Sequence, residues 1–192
     1  MKTLKTIAFV FSTVAIFTSC SDDDNKSTPV NEEELITTIT AVFTPEGGGT
    51  PITLEYKDLD NDGENDDPTT ISGTFDQNTT YNGVVTFENE SANLTVDITE
   101  EILAEAEEHQ IFYQETGTLN DFTYSTNADN FDENGKPVGL QSVFTTTGAA
   151  TGDLIITLVH LPNKSETGVS SGDIANAGGT TDAVAIFQII VQ

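Results

Sequence analysis

Asp58-Leu59-Asp60-Asn61-Asp62-Gly63-Glu64-Asn65-Asp66 is the segment of this chain whose residue types and spacing most clearly specify chemistry. Side-chain oxygens at Asp58, Asp60, Asp62 and Asp66, with the backbone carbonyl of Glu64, suit a hard cation, and Gly63 permits the sharp turn that wrapping one requires. The spacing therefore predicts a calcium loop. The twelfth position is Thr69 instead of a bidentate Glu, so no helix-loop-helix sensor is implied and the ion's role would be structural. In an Asp-rich chain the alternative is a solvated acidic hairpin loop. Asn130-Phe131-Asp132-Glu133-Asn134-Gly135 is a weaker echo, where Asn134-Gly135 alone is a sufficient hairpin signal.

The two histidines, His109 and His160, are the other candidate ligands. His109 follows Glu105 by one helical turn and sits beside Glu108. Carboxylates and a helix C-terminus would there favour an imidazolium. His160 closes an apolar run before Leu161-Pro162, where a hydrogen-bonded structural role is the plain alternative. Imidazole plus carboxylate suits zinc or copper. The candidate transition-metal set is His109, His160, Glu105, Glu108 and Asp182.

Short β-type runs separated by turn signals must position these residues. They fall near 35–44, 51–57, 69–75, 80–88, 92–97, 110–116, 120–127, 139–147, 153–160 and 182–191. The pattern predicts a mainly β chain, an antiparallel β-sandwich of eight to ten strands. Gly47 to Gly49, Asn82-Gly83, Asn134-Gly135 and Gly148 to Gly152 offer turn or bulge positions. Leu154 to His160 is apolar on both faces and reads as a central strand, as does Ala183 to Val191, which would be hazardous as an exposed edge. One helix is expected at about 99–108, capped by Asp97 or Thr99. Alternating strand directions then bring His109, His160 and Asp182 to one end and put the 58–68 loop at the opposite end.

No phosphate loop, nucleophile elbow, zincin motif or plausible cysteine nucleophile is present, so the chain does not read as an enzyme. Its 192 residues carry 32 Asp+Glu against 6 Lys+Arg, a formal net charge of −26, and every one of those cations is Lys. Such a surface repels nucleic acid. The single Cys excludes a disulfide framework.

That cysteine follows an apolar run, Ile7 to Phe17, preceded by Lys2 and Lys5. The run is too short to span a bilayer as a helix. Residues 1–19 read as a signal peptide, residues 20–34 as an acidic flexible tether, and 35–192 as a single domain. Phe17-Thr18-Ser19-Cys20 resembles a bacterial lipobox, in the looser form common in Bacteroidetes, which implies cleavage before Cys20 and lipidation of its thiol. Ser21-Asp22-Asp23-Asp24-Asn25 resembles the surface-export signal of flavobacterial lipoproteins. The mature chain also resembles a family of small flavobacterial surface lipoproteins without an established activity. The resemblance rests on Pro29 to Glu34, Glu107-Glu108-His109-Gln110, Pro137-Val138-Gly139-Leu140 and Gly178-Gly179-Thr180-Thr181-Asp182. Members often carry the label "type 1 periplasmic binding fold superfamily", a two-lobed α/β fold that needs strand–helix alternation this chain lacks. Asp58 to Asp66 is similar to the calcium loops of integrin-type propeller blades, which also lie between strands.

These readings lead to a lipid-anchored binding or accessory module at the outer membrane, displayed on the cell surface and stabilised by calcium. One alternative is a metal- or cofactor-capturing lipoprotein serving an outer-membrane transporter. Another is a structural or adhesive surface protein.

Overall fold

Period-two burial drives most of the strands. In the strand Thr80–Asn89, Tyr81, Gly83, Val85 and Phe87 point into the core while Asn82, Val84 and Thr86 face solvent. A computed structural model describes residues 34–60, 67–91 and 94–192, all within a compact unit spanning Glu33–Gln192. Residues 1–33, which include Cys20, and residues 61–66, which include Asp62, Glu64 and Asp66, lie outside the described residues.

In chain order the elements are β1 (Thr38–Pro45), β2 (Ile52–Lys57), β3 (Asp67–Ile71), β4 (Thr80–Asn89), β5 (Val96–Asp97), α1 (Thr99–Ala104), β6 (His109–Glu115), β7 (Phe122–Tyr124), β8 (Gln141–Thr145), β9 (Ala150–His160) and β10 (Thr180–Val191). One sheet has the order β3-β2-β1-β4-β8-β7, with β5 attached to β4, and the other has the order β10-β9-β6. All named strand pairs are antiparallel. The expected mainly β, sandwich-like architecture with one short helix is therefore present.

Aromatic rings knit the sheets together. Phe122 and Phe144 are cross-strand partners on β7 and β8, and their rings stack with centroids 4.1 Å apart. Tyr113 of β6 stacks on Phe122 from the opposite sheet at 6.2 Å. Phe43 and Phe75 add edge-on contacts of the kind the ring quadrupole favours. A smaller apolar cluster lies on the outer face of the second sheet, where Val169 and Ala177 cover Phe112 and Val159. The loop after β9 thus folds back over the sheet, so β9 is buried on both faces.

Several expectations need correction. Among the described residues of the run 92–97, strand is confined to the two-residue β5, paired with the last residues of β4. Leu94 and Val96 face solvent, and the chain then hooks back, with the Phe87 N–H donating to Thr99 Oγ1 (2.9 Å) and the Ile98 N–H to the Phe87 carbonyl (3.0 Å). It never crosses the sheet. The helix stops at Ala104 and does not reach 108. Glu105, Glu107 and Glu108 put negative charge where the helix dipole is already negative, and the last turn holds no basic residue. Neither Asp97 nor Thr99 is the N-cap as expected: that position is Ile98, without a side-chain cap, and Asp97, one residue before it, accepts the Thr99 N–H (2.9 Å). Asn82-Gly83 lies inside β4, where a Cβ on Gly83 would collide with Phe43 and Ser142. β10 is a sheet edge, not a central strand, and Val184, Ile186 and Ile190 are exposed on it. Its far end is closed by Phe75, whose N–H donates to the Ile190 carbonyl and whose carbonyl accepts the Gln192 N–H.

Gly179 sets the entry into β10. Its φ is +72°, and a Cβ there would run into the His160 carbonyl oxygen and Leu161. Gly179→Ala should cost about 2–4 kcal/mol in urea unfolding, because both the dihedral and the contact oppose a side chain. A change below about 0.5 kcal/mol would show that this junction is not tightly packed.

Candidate metal centre

Register alone brings the histidines together. His109 begins β6, His160 ends β9, and the two are direct antiparallel partners, so their side chains leave the sheet on the same face. The rings stack with centroids 4.7 Å apart and planes inclined by 17°. On the other side of β9, Thr180 pairs with His160 and Thr181 with Val159, but the next partner of Leu158 is Ala183. Asp182 is the extra residue of a β-bulge, which re-aims a side chain that strict alternation would send outward. Its side chain is 1% exposed, and Oδ2 lies 3.7 Å from His109 Nε2. Glu34, just upstream of β1, brings Oε1 to 3.8 Å from the same nitrogen.

The hydrogen bonding of His109 decides what this arrangement means. Its Nδ1 lies 3.3 Å from the Glu105 carbonyl oxygen. A carbonyl only accepts, so Nδ1 carries the proton. Burial, followed by the proximity of His160, pushes the imidazole pKa down to about 4. The ring is therefore neutral at pH 7, against the expectation of an imidazolium held by carboxylates, because burial outweighs the neighbouring negative charge. Nε2 then presents a bare lone pair in the direction of two carboxylates, and it has no hydrogen-bond partner among the described residues. A lone pair facing carboxylate oxygens is repulsive unless a proton or a cation lies between them. Glu34 feels the same crowding. Burial first, then Asp182, Glu101 and Glu105, raise its pKa to about 7.

Ligand atoms of His109, His160 and Asp182 all fall within 4.8 Å of one another, and so do those of Glu34, Glu105 and His109. The first set has the donors of a zinc or copper site, two imidazoles and a carboxylate. The Nδ1 contact to the Glu105 carbonyl is the outer-shell tie that usually orients a ligating histidine. Glu108 lies on the solvent side, with Oε2 3.5 Å from His160 Nε2 and its side chain 53% exposed.

All five residues of the sequence-derived transition-metal set thus converge, although Glu105 reaches His109 with its carbonyl as well as its carboxylate. Sequence reasoning missed Glu34, which it gave to the tether. The adjoining Leu35-Ile36 was the available signal, since Ile36 is buried. The expected calcium segment, of which residues 58–60 are described, follows β2 and precedes β3. Asp58, its first residue, does not lie at the opposite end as expected. Asp58 and Asp182 line one cleft of about 270 Å³, and the Asp58 N–H donates to the Thr37 carbonyl (2.8 Å). The parity count failed because it treated 92–97 as a full traverse of the sheet. Asp58 is buried and Asp60 exposed. In the weaker echo, Asp132 has an internal cation. Its Oδ1 accepts the N–H groups of Asn134 and Lys136, and its Oδ2 accepts Lys164 Nζ at 3.2 Å.

Compared with known proteins, the chain matches no family model, no curated protein and no solved structure.

The proton inventory of the metal-free site makes a prediction. A carboxyl whose folded pKa is raised from 4.5 to about 7 stabilises the fold fully below its unfolded pKa and loses that contribution as pH rises through 7. His109, shifted from 6.5 to about 4, has the opposite slope between those values. Glu34→Gln removes only the first term. With chelator present, the variant should therefore gain stability relative to wild type between about pH 5 and 7.5. The gain should be on the order of 1–2 kcal/mol, the full shift being reduced by solvent reaching the carboxyl. Parallel wild-type and variant stability curves would show that Glu34 titrates normally.

Proposed function

We propose that this chain is a lipid-anchored, surface-displayed β-sandwich that binds a transition-metal ion, zinc or copper, through His109, His160 and Asp182. The observation that carries the reading is the bare, buried Nε2 of His109, aimed at the carboxylates of Glu34 and Asp182 while Nδ1 is tied to the Glu105 carbonyl. Binding is the activity, and catalysis is not. The anchor at Cys20, outer-membrane location and display behind Asp22-Asp23-Asp24 rest on the sequence and on its resemblance to flavobacterial surface lipoproteins. In that setting the ion is cargo for an outer-membrane transporter, and calcium at Asp58 to Asp66 stabilises the domain.

Calorimetric titration of the purified protein with Zn²⁺ and with Cu²⁺ tests the site. One ion should bind with a micromolar or tighter Kd, and His160→Ala should weaken it by about 100-fold or more. The ion should also raise the melting temperature, since a ligand at a hundredfold excess over Kd stabilises by about 2.7 kcal/mol. If neither metal gives heat or a thermal shift, the histidine pair is structural. Millimolar Ca²⁺ should stabilise the His160→Ala variant as much as wild type, because the Asp-rich loop is a separate site.

The anchor has its own check. Cys20→Ser should free the protein from membranes or leave the precursor uncut. Normal cleavage with unchanged membrane retention would exclude a lipid at this residue.

A further inference from the structure

The candidate donors form two overlapping sets that share one residue. His109, His160 and Asp182 make one, and Glu34, Glu105 and His109 make the other. The sets differ in access to water. The side chains of His109 and Asp182 are 1% exposed and that of His160 is 6% exposed. Glu105 is exposed, and the Glu34 side chain is 13% exposed, between Glu105 and the inner donors. Resting on the metal-binding reading above, we propose that Glu34 and Glu105 form an outer cation position that shares His109 with the inner one, so that the ion is exchangeable cargo moved in two steps.

The chemistry of hydrated cations supports this division. A divalent ion arrives with bound water, and the inner set is too enclosed to receive it with that shell intact. Carboxylate oxygens at the outer position replace some of the waters while the rest remain. His109 then belongs to both sets, so the ion need not be released between positions. The glutamates alone would be an acidic cluster of a common kind. What distinguishes them is the neighbouring His109 Nε2, which is buried and lacks a hydrogen-bond partner among the described residues. Glu105 is also placed so that its two functions separate, because its backbone carbonyl orients His109 while its side chain is free to meet an incoming ion.

An outer position on the path lowers the barrier in both directions. A general negative field behaves differently, speeding arrival of the cation and slowing its departure. Glu105→Gln is a suitable variant, since it keeps the backbone carbonyl and alters only an exposed side chain. Zn²⁺ loading and chelator-driven release are followed by stopped flow in wild type, Glu105→Gln and Glu100→Gln, the last removing an equal charge from the first turn of α1. Glu105→Gln should slow both loading and release by about tenfold, with loading falling the further of the two because a negative charge close to the ion is also lost, and Glu100→Gln should change neither appreciably. The two-step path is overturned if release from Glu105→Gln is unchanged or faster. It is equally overturned if Glu100→Gln slows exchange as much. Failure of wild type to bind Zn²⁺ or Cu²⁺ instead removes the metal-binding reading itself.

Discussion

The antiparallel register of β9 between β6 and β10 is the constraint on which the site depends. It makes His109 and His160 direct partners, and it leaves Asp182 as the one residue of β10 without an opposite number on β9. A one-residue slip in either ladder would send a whole row of side chains to the other face. The buried alternation of Leu154, Ile156 and Leu158 forbids such a slip, because these residues must face the core. The register that packs the sandwich is thus the register that assembles the histidine pair. The bulge is the local exception that brings a carboxylate to it.

This dependence explains which features were legible in the sequence. Strand existence could be read, since apolar alternation and turn residues are local signals, and all ten expected runs contain strand. The convergence of His109, His160 and Asp182 followed from counting strand directions over β6 to β10, where β7 pairs antiparallel with β8, and β9 with both β6 and β10. The same count failed over β4 and β5. Whether 92–97 crosses the sheet is decided by tertiary contacts, Thr99 hooking onto Phe87 and Ile98 entering the core. Nothing in its composition signals them. Glu34 was hidden for a related reason. Polar residues beside a tether look solvated until the partner strands are known.

The charge state of His109 shows a second limit of sequence reading. Neighbouring glutamates argue for an imidazolium, and by proximity alone that inference is sound. Burial reverses it, because desolvating an imidazolium here costs more than Glu105 and Glu108 return. Lys164 is the contrasting case. Burial lowers its pKa too, but Asp132 at 3.2 Å opposes the shift, and the ammonium also donates to the Ala106 carbonyl at 2.5 Å. One buried cation is hydrogen-bonded to fixed acceptors, and the other is avoided by staying neutral.

On the proposed reading, that neutrality supplies selectivity. A site of carboxylates alone would favour hard cations. Imidazole donors favour ions that accept nitrogen, and the bare Nε2 of His109 is available without first losing a proton at pH 7. Asp58, which opens the Asp-rich segment, lines the same cleft as Asp182, and that segment offers oxygen alone. Oxygen donors at Asp58 and the nitrogen donors of the histidine pair therefore flank Asp182. Each is suited to an ion that the other would hold poorly, so occupation of the oxygen site by an abundant ion need not block the nitrogen site.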